Sequence, residues 1–234
     1  MKTITSVLSP LVPPFVKRPL KRLLHPEWHK GLVGGDWAQI GQMQIDFWLA
    51  HGLKPEHYFL DIGCGALRAG VHFIRYLETG HYFGIDINRE AIEAGRQVEL
   101  VKHGLTDKNP TLVHMDDFDL PALDKQFDYA TIHSVFPHLT LNSIIRCIMN
   151  LEKVLVPGGQ CYATFYENAQ GKLNLDPIVR SPNTTYFDKP LYHQDFGTFE
   201  WICEGTDLDV EYIGDWNHPR GQMIMVFTKA DSPG

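Results

Sequence analysis

The stretch "FLDIGCGALRAG", Phe59 to Gly70, restricts this chain more than any other part of it. A run that reads as a buried strand ends at Asp61 and Ile62, gives way to Gly63-Cys64-Gly65, and is followed at once by a helical pattern. Strand, glycine turn and helix in succession bring a helix N-terminus and bare backbone N–H groups to one point, where α/β folds approach a ligand. Gly63 and Gly65 can take positive φ and leave no Cβ in a ligand's way, while Gly70 falls inside the helix and suits close packing on a sheet. The phosphate loop GxxxxGK[ST] is excluded, because its lysine and hydroxyl are missing.

The flanking sequence repeats the alternation. "DWAQIGQMQIDFWLAHG" reads as an amphipathic helix capped by Asp36 and stopped at Gly52. Strands are predicted over 58–62, 81–87, 111–115, 127–133 and 160–167. Helices are predicted over 66–78, 88–104 and 140–156, the last two capped by Asn88 and Thr140. A helix over 193–205 and two closing strands, "LDVEYIGDW" and "GQMIMVFTKA", complete the series, and the short turn between them makes the last strand antiparallel to its neighbour. Strands separated by helices imply right-handed crossovers. The expected fold is therefore α/β, a Rossmann-like doubly wound sheet of mostly parallel strands with helices on both faces. Residues 1–35 read as a proline-rich arm, with Lys17, Arg18, Lys21 and Arg22 clustered, and 36–234 as a single domain with an insertion at about 168–190.

Composition narrows the function. A formal charge of −7 and a pI near 5.9 argue against a general nucleic-acid binder. The four cysteines form no CxxC pair, which gives no zinc site and fits a reducing cytoplasm. Prolines break the apolar start too often for a signal peptide, and no later run reaches transmembrane length.

Acids surround the glycine turn. Asp61 precedes it, Asp86 ends the second strand, and Asp116 and Asp117 follow the third. An acid in the position of Asp86 reaches ribose hydroxyls in dinucleotide folds. So many carboxylates suit a ligand with an amine and a positive centre better than a pyrophosphate.

Over about residues 36–230 the chain resembles the class I S-adenosylmethionine-dependent methyltransferases. "LDIGCG", "GIDIN", "VHMDDFDLP", "FDYATIHSVFPHL" and "LEKVLVPGGQCYATF" stand in the order of that family's motifs. The resemblance implies a seven-stranded sheet, and S-adenosylmethionine as cofactor with S-adenosylhomocysteine as product. It implies a cofactor site made of Asp61, Gly63, Cys64, Gly65, Arg68, Asp86, Ile87, Asp116, Asp117, Phe118 and His133. Asp86 would hold the ribose, and Asp116 or Asp117 the adenine amine. The neighbouring Phe118 tilts that choice toward Asp117.

Methyl transfer to a hydroxyl needs alignment and a base. His133 at the end of the fourth strand, His138 in "SVFPHL" and His218 in "NHPRGQ" are the candidates, with a rate limb expected near pH 6–7 for an ordinary histidine. No [DN]PP[YFW] signature and no metal-clamping acid cluster is present. The expected activity is thus metal-independent O-methylation of a small-molecule acceptor, with no nucleic acid, no membrane span, and a homodimer through the arm as a possible assembly. A protein that binds the cofactor without transferring methyl, or a modifier of nucleic acid or protein, is the alternative. Trp28, Trp37, Tyr166, Tyr186, Phe187 and Trp216 are candidate walls for the acceptor.

Overall fold

β1 (Phe59–Ile62) is buried along its whole length because it lies at the middle of a sheet covered on both sides. In this computed structural model, which describes residues 27–168 and 174–231, β1 pairs in parallel with β2 (Tyr82–Asp86) and with β4 (Phe127–Ile132). β3 (Thr111–His114) flanks β2, and β5 (Leu155–Glu167) flanks β4, both in parallel. Two short strands, β6 (Ile178–Arg180) and β7 (Asn183–Thr185), form a separate antiparallel hairpin in the insertion. β8 (His193–Gln194) adds to β5 at Tyr166 and Glu167. β9 (Leu208–Asp215) and β10 (Met223–Lys229) close the sheet, with β10 antiparallel to both β5 and β9. The main path is β3-β2-β1-β4-β5-β10-β9, seven strands as expected.

Helix α1 (Trp37–Ala50) starts where the Asp36 carboxylate accepts the Gln39 N–H at 2.7 Å. With α2 (Gly70–Tyr76) it covers one face, where Trp48, Phe59, Phe73 and Tyr162 pack together. Residues 89–102 make α3, whose course passes through a π-helical turn at Gly95–Glu99. α4 (Leu141–Val154) and α5 (Phe196–Cys203) cover the other face through Ile144, Ile148, Leu151 and Phe199. Each such side chain contributes about 1.5–3 kcal/mol by leaving water.

Three element boundaries differ from the sequence expectation by more than two residues. The second helix begins at Gly70 rather than 66, because residues 63–69 are used by the turn. The helix expected to reach 156 ends at Val154, and β5 begins immediately, with Pro157 barring further helix and the register against β4 shifting around the Pro-Gly-Gly. Residues 193–194 are strand, and the helix starts after Asp195, whose carboxylate accepts the Gly197 N–H. Thr140 occupies the N-cap position of α4, but its hydroxyl meets Ser143 Oγ instead of a backbone N–H.

Of the arm, the basic cluster lies outside the described residues, as does whatever part of a dimer contact it would make. Residues 28–34 pack onto the body. His29 Nε2 meets Glu99 Oε1 at 2.6 Å, both side chains buried, and Arg68 Nη1 donates to the Gly34 carbonyl at 2.6 Å.

Candidate active site

The carboxyl ends of four neighbouring strands open into one cavity of about 410 Å³. In sheet order these ends carry Asp116 after β3, Asp86 on β2, Gly63 after β1 and His133 after β4, all lining the cavity. Open α/β sheets bind ligands at this edge.

The glycine turn is shaped by contact as well as by backbone. Gly63 has φ +85°, and a Cβ there would collide with Val135 Cγ2. Gly65 has φ +54°, and its Cβ would stand 2.9 Å from Val33 Cγ2. Between them Cys64 turns the other way. Its thiol is buried toward Gly84, and burial drives its pKa well up, so it packs the sheet and does not line the cavity. That corrects its expected place among the ligand-facing residues.

Asp86 is held from two sides. Gly65 N–H donates to Oδ2 at 2.8 Å and Asn88 N–H to Oδ1 at 2.7 Å. Burial raises its pKa, and these two donors oppose the rise. Ile87 beside it is largely exposed and forms part of the rim. Asp61 is a second correction. It is buried behind the turn, accepts the Tyr82 hydroxyl at 2.6 Å, and does not line the cavity. Burial pushes its pKa up to about 7, with Tyr82 opposing and Asp86 adding to the rise.

Between the competing acids, the cavity receives Asp116 and not Asp117. Asp117 Oδ1 accepts the Asp119 N–H at 3.1 Å, capping the next turn. The chain reverses there because Phe118 takes φ +57°, its carbonyl fixed by Asn150 Nδ2 at 2.9 Å. Phe118 itself lines the cavity.

His133 and His138 both line the cavity; His218 does not. His218 stacks on Trp216 at 18° and lies 5.2 Å, ring to ring, from His133. Burial holds the His133 pKa well below the ordinary 6.5, helped by His218, Arg68 and Arg220. The same causes, burial first and then Arg220 and Arg68, lower His218 to about 4. His133 Nε2 is shielded and has no partner among the described residues.

Beneath His133 a buried polar network fixes the end of β4. Ser134, at φ +59°, donates its N–H to Thr164 Oγ1 at 2.8 Å and its hydroxyl to Gln222 Oε1 at 3.0 Å. Thr164 donates to the same Gln222 oxygen at 2.6 Å, and Trp216 Nε1 donates to the Gln222 carbonyl at 3.1 Å.

Several lining residues were not among those expected. Leu32, Val33 and Gly34 come from the N-terminal segment, Asn88 and Met115 from strand ends, and Arg220 from the β9–β10 turn. Of the expected aromatic walls, Trp216 meets His133 edge-on at 5.4 Å but does not itself line the cavity. Trp28, Trp37, Tyr166, Tyr186 and Phe187 do not reach the cavity. Tyr166 is wholly buried, with its hydroxyl accepting from Asn183 Nδ2.

The sheet order, the glycine turn and the acid that ends β2 match the Rossmann-like fold of S-adenosylmethionine-dependent methyltransferases. Residues 60–161 match the family model described as "Methyltransferase domain". Among curated relatives, a demethylmenaquinone methyltransferase of Staphylococcus saprophyticus is 27% identical over 154 residues, covering 63% of this chain and 61% of the relative. A 2-phytyl-1,4-naphtoquinone methyltransferase of Nostoc is 30% identical over 129 residues, covering 53% and 55%. The chain thus spans about 55–61% of the length of these relatives. A magnesium protoporphyrin IX methyltransferase from Synechocystis, solved with bound S-adenosylhomocysteine, shares the fold with TM-score 0.63 at 14% identity, covering 92% of this chain and 99% of that one. A putative rRNA methylase from Clostridium thermocellum shares it with TM-score 0.58 at 14% identity, covering 86% and 100%. The fold is therefore common to proteins named for very different acceptors. Among the described residues no helix is long and apolar enough to cross a membrane.

Proposed function

We propose that this protein transfers a methyl group from S-adenosylmethionine to an oxygen of a small-molecule acceptor, without a metal. The observation that carries the reading is the row of four strand ends, Asp116, Asp86, Gly63 and His133, around one cavity. The cradle fits the cofactor: a side chain at Gly63 or Gly65 would fill it, and its volume lies in the range of small-molecule sites. Asp86 would hold the ribose hydroxyls and Asp116 the adenine amine, while the Gly63–Gly65 turn and Arg68 would face the methionine part. When bound, the cofactor supplies a methyl group on an electrophilic sulfonium.

The chain's own residues then have three tasks. The glycine turn lets backbone come close, the apolar rim of Leu32, Val33, Val135 and Leu139 keeps water out, and His133 takes the acceptor's proton. Its depressed pKa keeps it in the unprotonated form that a base requires. A small-molecule acceptor is supported by the relatives named for quinones. Among the described residues no group of three or more His, Cys, Asp or Glu could hold an ion. The four cysteines are free and buried, in keeping with a reducing compartment.

The test is calorimetry with S-adenosylmethionine in EDTA. Asp86→Ala should weaken binding at least about tenfold, the equivalent of losing charge-assisted hydrogen bonds. Tight binding of NAD with none of S-adenosylmethionine would sink the reading.

A further inference from the structure

One charged group in the cavity has no task in that scheme. Arg220 enters from the turn between β9 and β10, and its guanidinium lies against the backbone of Gly34 and Gly35. Its side chain makes no salt bridge or hydrogen bond with any described residue. Beside it Arg68 is 7% exposed, and its Nε is buried without a partner. Five buried side-chain polar atoms lack a partner among the described residues, and three of them gather here: Arg68 Nε, His133 Nε2 and His218 Nε2. These atoms have no accessible surface and stand behind the cavity wall, so the charged group that faces the cavity itself without a partner is the Arg220 guanidinium.

The sign of that ligand follows from the charges around it. The cavity's acids, Asp86 and Asp116, stand on the far strands, and Asp86 already accepts two backbone N–H groups. At the β4 end there are two guanidiniums, two histidines without charge at neutral pH, and no acid lining the wall. The cofactor brings one carboxylate, and Arg68, which follows directly on the glycine turn, is placed for it. Arg220 is left over, and it fits the planar fork of a second carboxylate.

We propose that the methyl acceptor is an organic carboxylate whose anionic group is bound by Arg220, with its apolar body against Val33, Val135 and Leu139. This rests on reading the cavity as a cofactor and acceptor site. It goes further by naming the class of acceptor and the residue that selects it.

The experiment titrates the full chain first with S-adenosylhomocysteine alone, then with 4-hydroxybenzoate and its neutral amide as matched probes in its presence. The acid should bind at least about tenfold more tightly than the amide. Arg220→Gln should abolish that preference while leaving S-adenosylhomocysteine affinity unchanged, which also shows that the variant is folded. Arg220→Lys should recover part of it, since charge returns without the fork. Equal affinities for acid and amide in the wild type, failure of both to bind, or a preference that survives Arg220→Gln would each overturn the proposal. So would an Arg220→Gln protein that loses S-adenosylhomocysteine affinity and keeps the preference, because Arg220 would then serve the cofactor's own carboxylate. Absence of S-adenosylhomocysteine binding in the first titration is a different failure, and removes the reading beneath.

Discussion

At the end of β4, His133 is surrounded by groups that disfavour its charged form: His218, Arg68 and Arg220 around a buried ring. Its proton affinity is therefore lower than an ordinary histidine's, and the rate limb expected near pH 6–7 moves down. With His133 as base, kcat should be level through neutral pH and fall only at a lower pH than an ordinary histidine would give. His133→Ala should lower kcat about 10²–10⁴-fold while affinity for S-adenosylmethionine hardly changes, measured by steady-state kinetics and calorimetry. Asp61 behaves oppositely. Its folded pKa of about 7 lies above the ordinary 3.8, so the stability it gives as a neutral acid is present below about pH 4 and is lost as pH rises through 7. Asp61→Asn should remove that loss, leaving Tm at pH 8 higher relative to pH 5 than in the wild type by about 2–4 °C for each kcal/mol. A thermal melt series across pH decides it. Places on the cavity wall were legible in the sequence where a strand end fixes them, as at Asp86 and His133. They were not legible at Asp116 and Asp117, because the choice turns on Phe118 taking a left-handed backbone, which bulky side chains rarely do.

Between elements, the N-terminal segment matters most. Leu32, Val33 and Gly34 cover the glycine turn, and what holds them there is remote in sequence: His29 on Glu99, and Gly34 on Arg68. Glu99 points inward from the π-helical turn of α3, and its second oxygen meets His103 Nε2 at 3.2 Å. His29→Ala leaves a buried carboxylate with one partner instead of two. The loss in stability should approach the lower end of about 3–5 kcal/mol. Denaturant unfolding measures it, and limited proteolysis should cut faster near residues 27–36. No local signal announced this packing. The segment looks like a proline-rich arm, and only the pairing of residues 70 apart makes it a wall. The helices and strands themselves were legible because each carries its period, while the short hairpin β6–β7 has too few residues to show one.

At the scale of the whole molecule, topology explains why the site forms where it does. Sheet order runs outward from β1, so strands far apart in sequence place their carboxyl ends side by side. β10 inserts between β5 and β9, and the turn that precedes it delivers Arg220 and Gln222 to the β4 end. One wall of the cavity thus comes from residues 32–34 and another from residue 220. A chain emerging from the ribosome makes its first strands and glycine turn early, yet it cannot enclose a ligand until β10 has been released and threaded into place. The cofactor is then a late arrival in biogenesis. A ligand seated between residues 32–34 and residue 220 would tie these two distant segments together and resist unfolding of both.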